Sequence, residues 1–303
     1  MKILVTGGTG LIGLGFIRQF QEHQFTVLVR SIEKAKRQLP TSVTLINSLE
    51  SLTNLDDFDG VINLAGEPII DKRWNEKQKE CISESRWHTT QQLVTLFTRS
   101  NNPPEIFLSG SAIGVYGNRV DEMLTETSQV EKSDFASALC LRWEALAKQV
   151  EPMSRVVLLR TGIVLTPTGG ALAKMLLPFK LFLGGRIGDG QQYMSWIHLQ
   201  DHINAMQYLL TESNVSGAVN LVAPQPQRNQ FFTNTLAATL QRIAIIPVPK
   251  IILKLLLGES SSLLLGSQRV MPQVLLDNGF KFEFPSLNTA LANLLQRASV
   301  EKN

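Results

Sequence analysis

The chain has 303 residues, enough for about two domains of ~150 residues or for one large α/β sheet with an appended lobe. Lysine plus arginine number 29 against 26 aspartate plus glutamate, a net charge of +3, and only 18% of residues are charged where soluble domains average ~25%. That balance excludes a disordered chain and a nucleic-acid-coating surface, because the most basic run, Lys34, Lys36 and Arg37, is too short to follow a phosphate backbone.

Lys2 to Val5 is an apolar, β-prone run ending at Thr6, and Leu11, Leu14, Ile17 and Phe20 then recur at helical spacing. Strand, glycine turn and helix form the first unit. MKILV runs straight into glycines, without the h-region and cleavage site of a signal peptide. Further apolar strands are expected at 26–29, 43–46, 60–64, 106–108 and 156–159, most of them separated by helical stretches. This alternation implies parallel strands joined by right-handed crossovers, hence an α/β Rossmann-type doubly wound parallel sheet. Arg160, at the carboxyl end of the sixth strand, is expected to reach the side where ligands of such sheets bind.

After Leu165 the rhythm changes. Residues 166–195 read as a loop-rich insertion with an apolar helix at 171–183, followed by Gly184, Gly185, Gly188 and Gly190. Trp196 to Leu210 reads as a helix and Ala218 to Leu221 as a strand. Residues 1–226 then form the nucleotide-binding domain, and 227–303 a small, mostly helical C-terminal lobe closing a cleft; Gly-Phe-Lys-Phe-Glu-Phe at 279–284 alternates like a short strand. The apolar stretch Ile243 to Leu257 is broken by Pro247, Pro249, Lys250 and Lys254, falls short of the ~20 residues a membrane span needs, and reads as a lobe helix rather than a membrane-surface one. Cys81 and Cys140 have no C-x-x-C or histidine partners, which argues against a disulfide framework or zinc site and for a reducing, cytoplasmic compartment.

Gly7, Gly10 and Gly13 form G-x-x-G-x-x-G directly after a strand and at the opening of a helix. In such a turn the first glycine permits the bend, the second lets backbone N–H groups approach a pyrophosphate, and the third packs helix on strand. The helix N-terminus adds about half a positive charge. Gly7, Thr9, Gly10, Leu11, Ile12 and Gly13 are therefore the expected phosphate-binding residues. An acid ending the second strand would accept from a ribose 2′-hydroxyl, but this strand ends Val29-Arg30-Ser31. Arg30 and Ser31 suit a 2′-phosphate, so NADP(H) is favoured over NAD(H); the alternative is that Arg30 is a solvated strand-end residue.

Three further segments carry a resemblance: Asn63-Leu64-Ala65-Gly66, Ser109-Gly-Ser-Ala-Ile-Gly-Val-Tyr-Gly117 and Trp196-Ile-His-Leu-Gln-Asp201. With the glycine turn they resemble the extended and atypical short-chain dehydrogenase/reductase superfamily, which includes the nucleotide-sugar epimerases. The likeness is closer to its nucleoside-diphosphate-sugar epimerase-like branch, the epimerase family proteins. That branch matches Asn63 to Pro68, Arg73-Trp74, Ser85-Arg86 with Thr89-Thr90, and Trp143-Glu144. Its C-terminal domain of unknown function resembles 246–294, with Leu-Gly-Glu at 257–259, Gln-Arg-Val-Met-Pro at 268–272 and Gly-Phe-Lys-Phe-Glu-Phe-Pro at 279–285. The resemblance implies that Asn63, Leu64, Ala65 and Gly66 also line the cofactor.

In competent relatives a tyrosine and a lysine four residues later move the proton, aided by a serine and often an asparagine. Laying the serine motif on this chain puts Phe135 and Leu139 at the tyrosine and lysine positions and Arg86 at the asparagine position, so Ser111 alone is kept. Arg86 becomes a candidate cation beside the cofactor. Tyr116 is the candidate replacement acid, with pocket lining as its other reading; Glu126 would serve as an acid if burial raised its pKa and otherwise reads as an exposed loop residue, His198 reads as a helix-start residue rather than a base, and Met175 and Leu176 as core. Lys174 and Arg186, if they reach the cleft, suit a phosphate-bearing or carboxylate substrate. The expected function is an NADP(H)-binding oxidoreductase or epimerase-like enzyme with a small-molecule substrate and no nucleic-acid or membrane partner. Its rival is a non-catalytic NADP(H)-binding structural or redox-sensing protein that acts through a partner.

Overall fold

Seven strands form one parallel sheet: β1 (Lys2–Thr6), β2 (Gln24–Leu28), β3 (Thr44–Ile46), β4 (Gly60–Asn63), β5 (Ile106–Ala112), β7 (Arg155–Thr161) and β11 (Gly217–Leu221). Four of the remaining strands fall between these in the chain, β6 (Met123–Leu124), β8 (Ile163–Leu165), β9 (Tyr193–Met194) and β10 (Trp196–His198), and β12 (Gln227–Arg228) and β13 (Arg269–Val270) follow. The computed structural model describes residues 1–212, 215–244 and 246–300. Ile245 of the apolar stretch and the last three residues of the expected lobe lie outside the described residues.

The sheet order β11-β7-β5-β4-β1-β2-β3 reverses direction between β1 and β4, which opens a crevice at their carboxyl ends. Helices on both faces leave little of the sheet to water. β4 is buried throughout, and Ile106 to Ser111 of β5 are buried as well, so these strands read as apolar or small-residue runs rather than as alternations. Behind the glycine turn, α1 (Leu11–Gln19) packs Phe16 and Ile17 into the core. The short α2 (Ile32–Lys36) is capped by Ser31, and the 24-residue α3 (Glu76–Arg99) by Asn75. Helix α4 (Phe135–Lys148) begins with a capping box in which the Asp134 carboxylate accepts from the Ser137 N–H and the Ser137 hydroxyl accepts from the Asp134 N–H.

The insertion carries α5 (Gly170–Lys180), after which α6 (Leu199–Thr211) returns to the sheet against α1. The expected helix from Trp196 therefore starts at Leu199; Trp196 to His198 instead pair with Ile163 to Leu165 as parallel strands. The C-terminal portion is helical: α7 (Asn229–Thr239), α8 (Lys250–Leu257), α9 (Ser262–Leu265), α10 (Gln273–Asp277) and α11 (Leu287–Val300). Its helices α7 and α11 share a buried cluster with Leu172, Phe179 and Trp196 of the preceding segment. The strand expected at 279–284 does not form. The Glu283 and Phe284 N–H groups donate to the Asp201 carboxylate at 2.7 and 2.9 Å, while Phe280 and Phe282 pack edge to face. Period-two burial is satisfied there without a strand neighbour.

Candidate functional site

At the carboxyl end of β1, Gly7 adopts φ +73°, and a Cβ there would stand 2.5 Å from the Leu64 carbonyl carbon. A side chain is excluded twice, by backbone strain and by the loop after β4. A Cβ on Gly13 would strike the Gly7 oxygen at 2.6 Å, so the third glycine lets the first turn of α1 lie against the bend. Gly10 differs. An added Cβ meets only the Gly7 oxygen, at 3.1 Å, and Gly10 caps α1 with no side-chain hydrogen bond. Thr9 and Gly10 are exposed, so the first N–H groups of α1, at Leu11, Ile12 and Gly13, have no side chain as partner. Leu11 also closes the turn against the insertion, 3.2 Å from where a Cβ on Gly169 would stand.

Across the crevice, Asn63 is wholly buried. Its Oδ1 accepts from the Thr6 hydroxyl at 2.6 Å and its Nδ2 donates to Thr90 at 2.8 Å, tying β1, β4 and α3 together. The expectation that Asn63 touches the cofactor is corrected: its side chain is spent on fixing the strand ends. Leu64 and Ala65 are half-buried and Gly66 is exposed above the Arg86 side chain, whose Cζ would lie 2.8 Å from a Cβ on Gly66. Arg86 Nη1 donates to the Ile82 and Glu67 carbonyls at 2.9 and 3.1 Å, and its guanidinium lies 5.3 Å from the Trp143 ring centroid. Burial lowers its pKa from the ordinary value. Arg86 thus underpins the 64–67 loop.

At the outer end, Arg30 is 95% exposed and faces Glu67 at 3.9 Å, while Lys72 reaches the same carboxylate at 3.2 Å. The chain itself has no acid at the end of β2, where Val29-Arg30-Ser31 follows. Folding brings one there from the loop after β4, with a second cation beside it. Only the spacing within Asn-Leu-Ala-Gly-Glu could have signalled it.

Ser111, Tyr116 and Arg160 converge below the crevice, on one another rather than on open space. Arg160 Nε and Nη2 each donate to Glu144 carboxylate oxygens at 2.9 Å, and its Nη1 donates to the Tyr116 hydroxyl at 2.9 Å. Both charged side chains are only 5% exposed. Burial works against the charge on Arg160, but the bonds it donates to Glu144 and Tyr116 and the Glu144 charge outweigh it and raise its pKa. Ser111 Oγ donates to Glu144 Oε1 at 2.6 Å, and the Tyr116 hydroxyl, 2.8 Å from Asn220 Oδ1, has its pKa raised by burial against the opposing pull of Arg160. Two expectations are corrected here. Arg160 does not extend toward the glycine turn, and Tyr116 is a buried strut whose proton is committed. Nor is Glu126 an exposed loop residue: its Oε1 accepts from the Asn220 N–H at 2.9 Å, and burial raises its pKa.

Above this network lies a cavity of about 1170 Å³, walled chiefly by apolar groups and opening at the ends of β5 and β7. Ala112, Ile113, Thr161 and Gly162 form its floor, and α5, α8 and α9 form much of its wall. Ile69 and Ile70 overhang it from the loop after β4, which Asp71 ties to Lys174 of α5. Lys174 lines the cavity, and so does Met175, which was expected in the core; Leu176 alone of the Met175–Leu176 pair is buried. Arg186 is exposed and lies outside the lining. His198 caps α6 by accepting from the Gln200 N–H at 3.0 Å and stacks on Phe284 at 4.0 Å, as expected of a helix-start residue.

The cavity-facing pair on α4 is Ala136 and Cys140, not Phe135 and Leu139. Phe135 and Leu139 pack with Trp74, Ile82 and Trp87 in a cluster that Ala136 joins from the cavity side, Phe135 lying edge to face on Trp74 at 4.9 Å. Burial pushes the Cys140 thiol up to about 12, with Glu144 adding to the effect, so it is a neutral thiol at pH 7.

Residues 3–222 match the NAD dependent epimerase/dehydratase family, and residues 248–294 match a domain of unknown function, DUF1731. The chain belongs to that epimerase/dehydratase family. An epimerase family protein of Staphylococcus haemolyticus is 35% identical over 299 residues, covering 97% of this chain and 99% of its own. A human epimerase family protein solved with NADPH superposes with a TM-score of 0.90 at 33% identity, over 98% of this chain and 99% of that one. A nucleoside-diphosphate sugar epimerase from Corynebacterium glutamicum gives a TM-score of 0.77 at 29% identity and is spanned over 62% of its length. Against UDP-glucuronic acid 4-epimerase from Bacillus cereus, at 18% identity and a TM-score of 0.78, the likeness is one of fold.

Proposed function

We propose that this epimerase-family chain binds NADP(H) in the crevice between β1 and β4 and acts as an oxidoreductase or epimerase-like enzyme on a small molecule held in the adjoining cavity. The observation that carries the reading is an open cavity of about 1170 Å³ at the carboxyl ends of β5 and β7, on the same sheet edge as the bare glycine turn. The residues fit the cofactor: a Cβ at Gly7 or Gly13 would fill the cradle, and the N-terminus of α1 is uncapped. The NADPH bound to the human relative supports the choice of cofactor.

Gly7, Thr9, Gly10, Leu11, Ile12 and Gly13 would hold the pyrophosphate through backbone N–H groups, and Leu64, Ala65 and Gly66 would line the opposite side. Arg30, Ser31 and Lys72 would hold the 2′-phosphate, displacing the Glu67 carboxylate from Arg30. Arg86 backs the 64–67 loop and adds positive charge beneath it. Bound there, the cofactor supplies a hydride donor or acceptor. The chain itself orients the substrate against apolar walls. Ala136 has no proton to give and the Cys140 thiol is held neutral, so α4 offers the cavity no acid at these two positions, and a proton required by the reaction comes from water or from another lining group such as Lys174, Tyr193 or Glu259. A reducing, cytoplasmic setting suits the two free thiols.

The missing cavity-facing acid on α4 favours one rival, a non-catalytic protein that uses NADP(H) as a structural or redox-sensing ligand. Titration calorimetry tests the shared core of both readings: the protein binds NADPH, and Gly10→Val abolishes binding while its melting temperature is kept. Absence of NADPH binding by the unmodified protein refutes both. Slow NADPH oxidation supported by carbonyl substrates separates the enzyme from the sensor.

A further inference from the structure

Helix α8 is built inside out. Its Leu253, Lys254 and Leu257 face the cavity, while Ile251, Ile252, Leu255 and Leu256 stand in solvent, between 44% and 70% exposed. None of its eight residues is buried. The end of α5 does the same: Pro178 and Phe179 line the cavity, whereas Leu177, Leu181 and Phe182 are 55–63% exposed, and Leu183 both edges the cavity and is 59% exposed. Phe182 holds φ +60°, a conformation β-carbon-bearing residues seldom adopt, with its ring under the Arg242 guanidinium at 4.9 Å. The two segments are joined by the Gly188 and Val248 N–H groups, which donate to the Val248 and Arg186 carbonyls at 2.9 and 2.8 Å. They therefore adjoin at the cavity mouth, with Ile243 and Ile246 also exposed beside them.

Soluble proteins rarely leave so many large aliphatic side chains together in water. The charge around them selects the partner. Residues 170–190 and 241–257 carry Lys174, Lys180, Arg186, Arg242, Lys250 and Lys254 against one carboxylate, Asp189. Lys180, Arg186, Arg242 and Lys254 make no ion pair among the described residues. A second copy seated face to face would bring two such positive surfaces together, whereas an anionic bilayer neutralises them and takes the aliphatic side chains below its headgroups. No helix among the described residues is long and apolar enough to cross a membrane, so the contact is peripheral.

We propose that the α5–α8 face docks on an anionic lipid surface, holding the cavity mouth against it. This revises the expectation that 243–257 is an ordinary lobe helix without a membrane partner. Because α5 and α8 form both the cavity wall and the outer face, an apolar molecule passes from lipid to cavity without crossing water; that corollary rests on the cavity being the substrate site, while the docking does not.

The test is flotation of the full chain with phosphatidylcholine vesicles, with and without one-quarter phosphatidylglycerol, alongside Ile251→Gln/Leu255→Gln and the sedimentation behaviour of both proteins. Neither substituted residue lines the cavity, so an unchanged melting temperature and NADPH affinity show that fold and cofactor site are intact. The expected result is binding to anionic vesicles at low salt, at least tenfold weaker in the double variant and at 0.5 M salt. Equal flotation of the two proteins overturns the proposal. So does the absence of any flotation, including the case where the wild type is a dimer that the double variant turns into monomers, which assigns the face to a second copy.

Discussion

Glu144→Gln is the perturbation that most directly separates a structural from a cofactor-binding role for Arg160. Glu144 receives two 2.9 Å bonds from Arg160 and a 2.6 Å bond from Ser111, at a site where both charged side chains are 5% exposed. Removing one partner of such a pair strands the other charge in a poorly solvated interior, at a cost of about 3–5 kcal/mol. At about 2 °C per kcal/mol for a chain of this length, the melting temperature falls by about 6–10 °C. Replacing both residues, as Glu144→Leu with Arg160→Met, removes both charges and recovers most of that loss. Ser111 and Tyr116 then each lack one hydrogen bond, at ~1 kcal/mol apiece. The double-mutant cycle therefore yields a coupling of at least ~2 kcal/mol. The assay is urea unfolding of the wild type, Glu144→Leu, Arg160→Met and their double variant, with Glu144→Gln and NADPH affinity measured in parallel. Additive losses would refute the ion-pair reading, and a tenfold loss of NADPH affinity in Arg160→Met at unchanged stability would return Arg160 to the cofactor.

Arg30→Ala removes most of an expected tenfold preference for NADPH over NADH, about 1.4 kcal/mol, and Glu67→Gln widens that preference by releasing Arg30 and Lys72 from a competing carboxylate. Equal calorimetric affinities of the wild type for the two cofactors would remove the basis for both. Burial holds His202 down to about 3, below its ordinary 6.5, with the Thr161 hydroxyl 3.0 Å from its Nε2. The folded state therefore keeps His202 neutral: its contribution to stability is complete above about pH 6.5 and is lost as pH falls toward about 3, by up to ~1.4 kcal/mol per pH unit. Chemical denaturation across that range should be flatter for His202→Gln than for the wild type; parallel curves would show that another group governs acid unfolding.

The central sheet and the glycine turn were legible because their signals are local. A glycine turn between an apolar strand and a periodic helix can be read within a dozen residues, and the alternation of such units fixes parallel pairing. The site was less legible wherever partners arrive from afar. Nothing near Arg30 announces that Glu67 closes on it, and nothing near Arg160 or Tyr116 announces that Glu144 and Asn220 claim their polar atoms. Segment 279–284 failed for the same reason: its alternation is real, but its N–H groups are met by Asp201, about eighty residues away. A strand end with an arginine can bind a ligand or stitch the floor beneath one. Only the position of the carboxylate distinguishes the two.

The placement of α4 shows how one residue of register redirects an entire chemical reading. Phe135 and Ala136 differ by one position, and on a helix one position is about 100° of rotation. That rotation sends Phe135 and Leu139 into the Trp74 cluster and brings Ala136 and Cys140 to the cavity, with Glu144 next on the same i, i+4 stripe. The Asp134–Ser137 capping box fixes where the helix begins, and Gly110 fixes how it lies: a Cβ there would stand 2.6 Å from the Trp143 ring, so only glycine between Ser109 and Ser111 lets that indole cross β5. With Trp143 seated, Glu144 must point below the cavity floor toward Arg160. That stripe therefore carries a methyl group and a neutral thiol at the cavity, and its charge is buried one turn further on. Any variant built to install a proton-transferring pair belongs at 136 and 140, where the side chains meet the cavity; at 135 and 139 they would meet Trp74 and Ile82 instead.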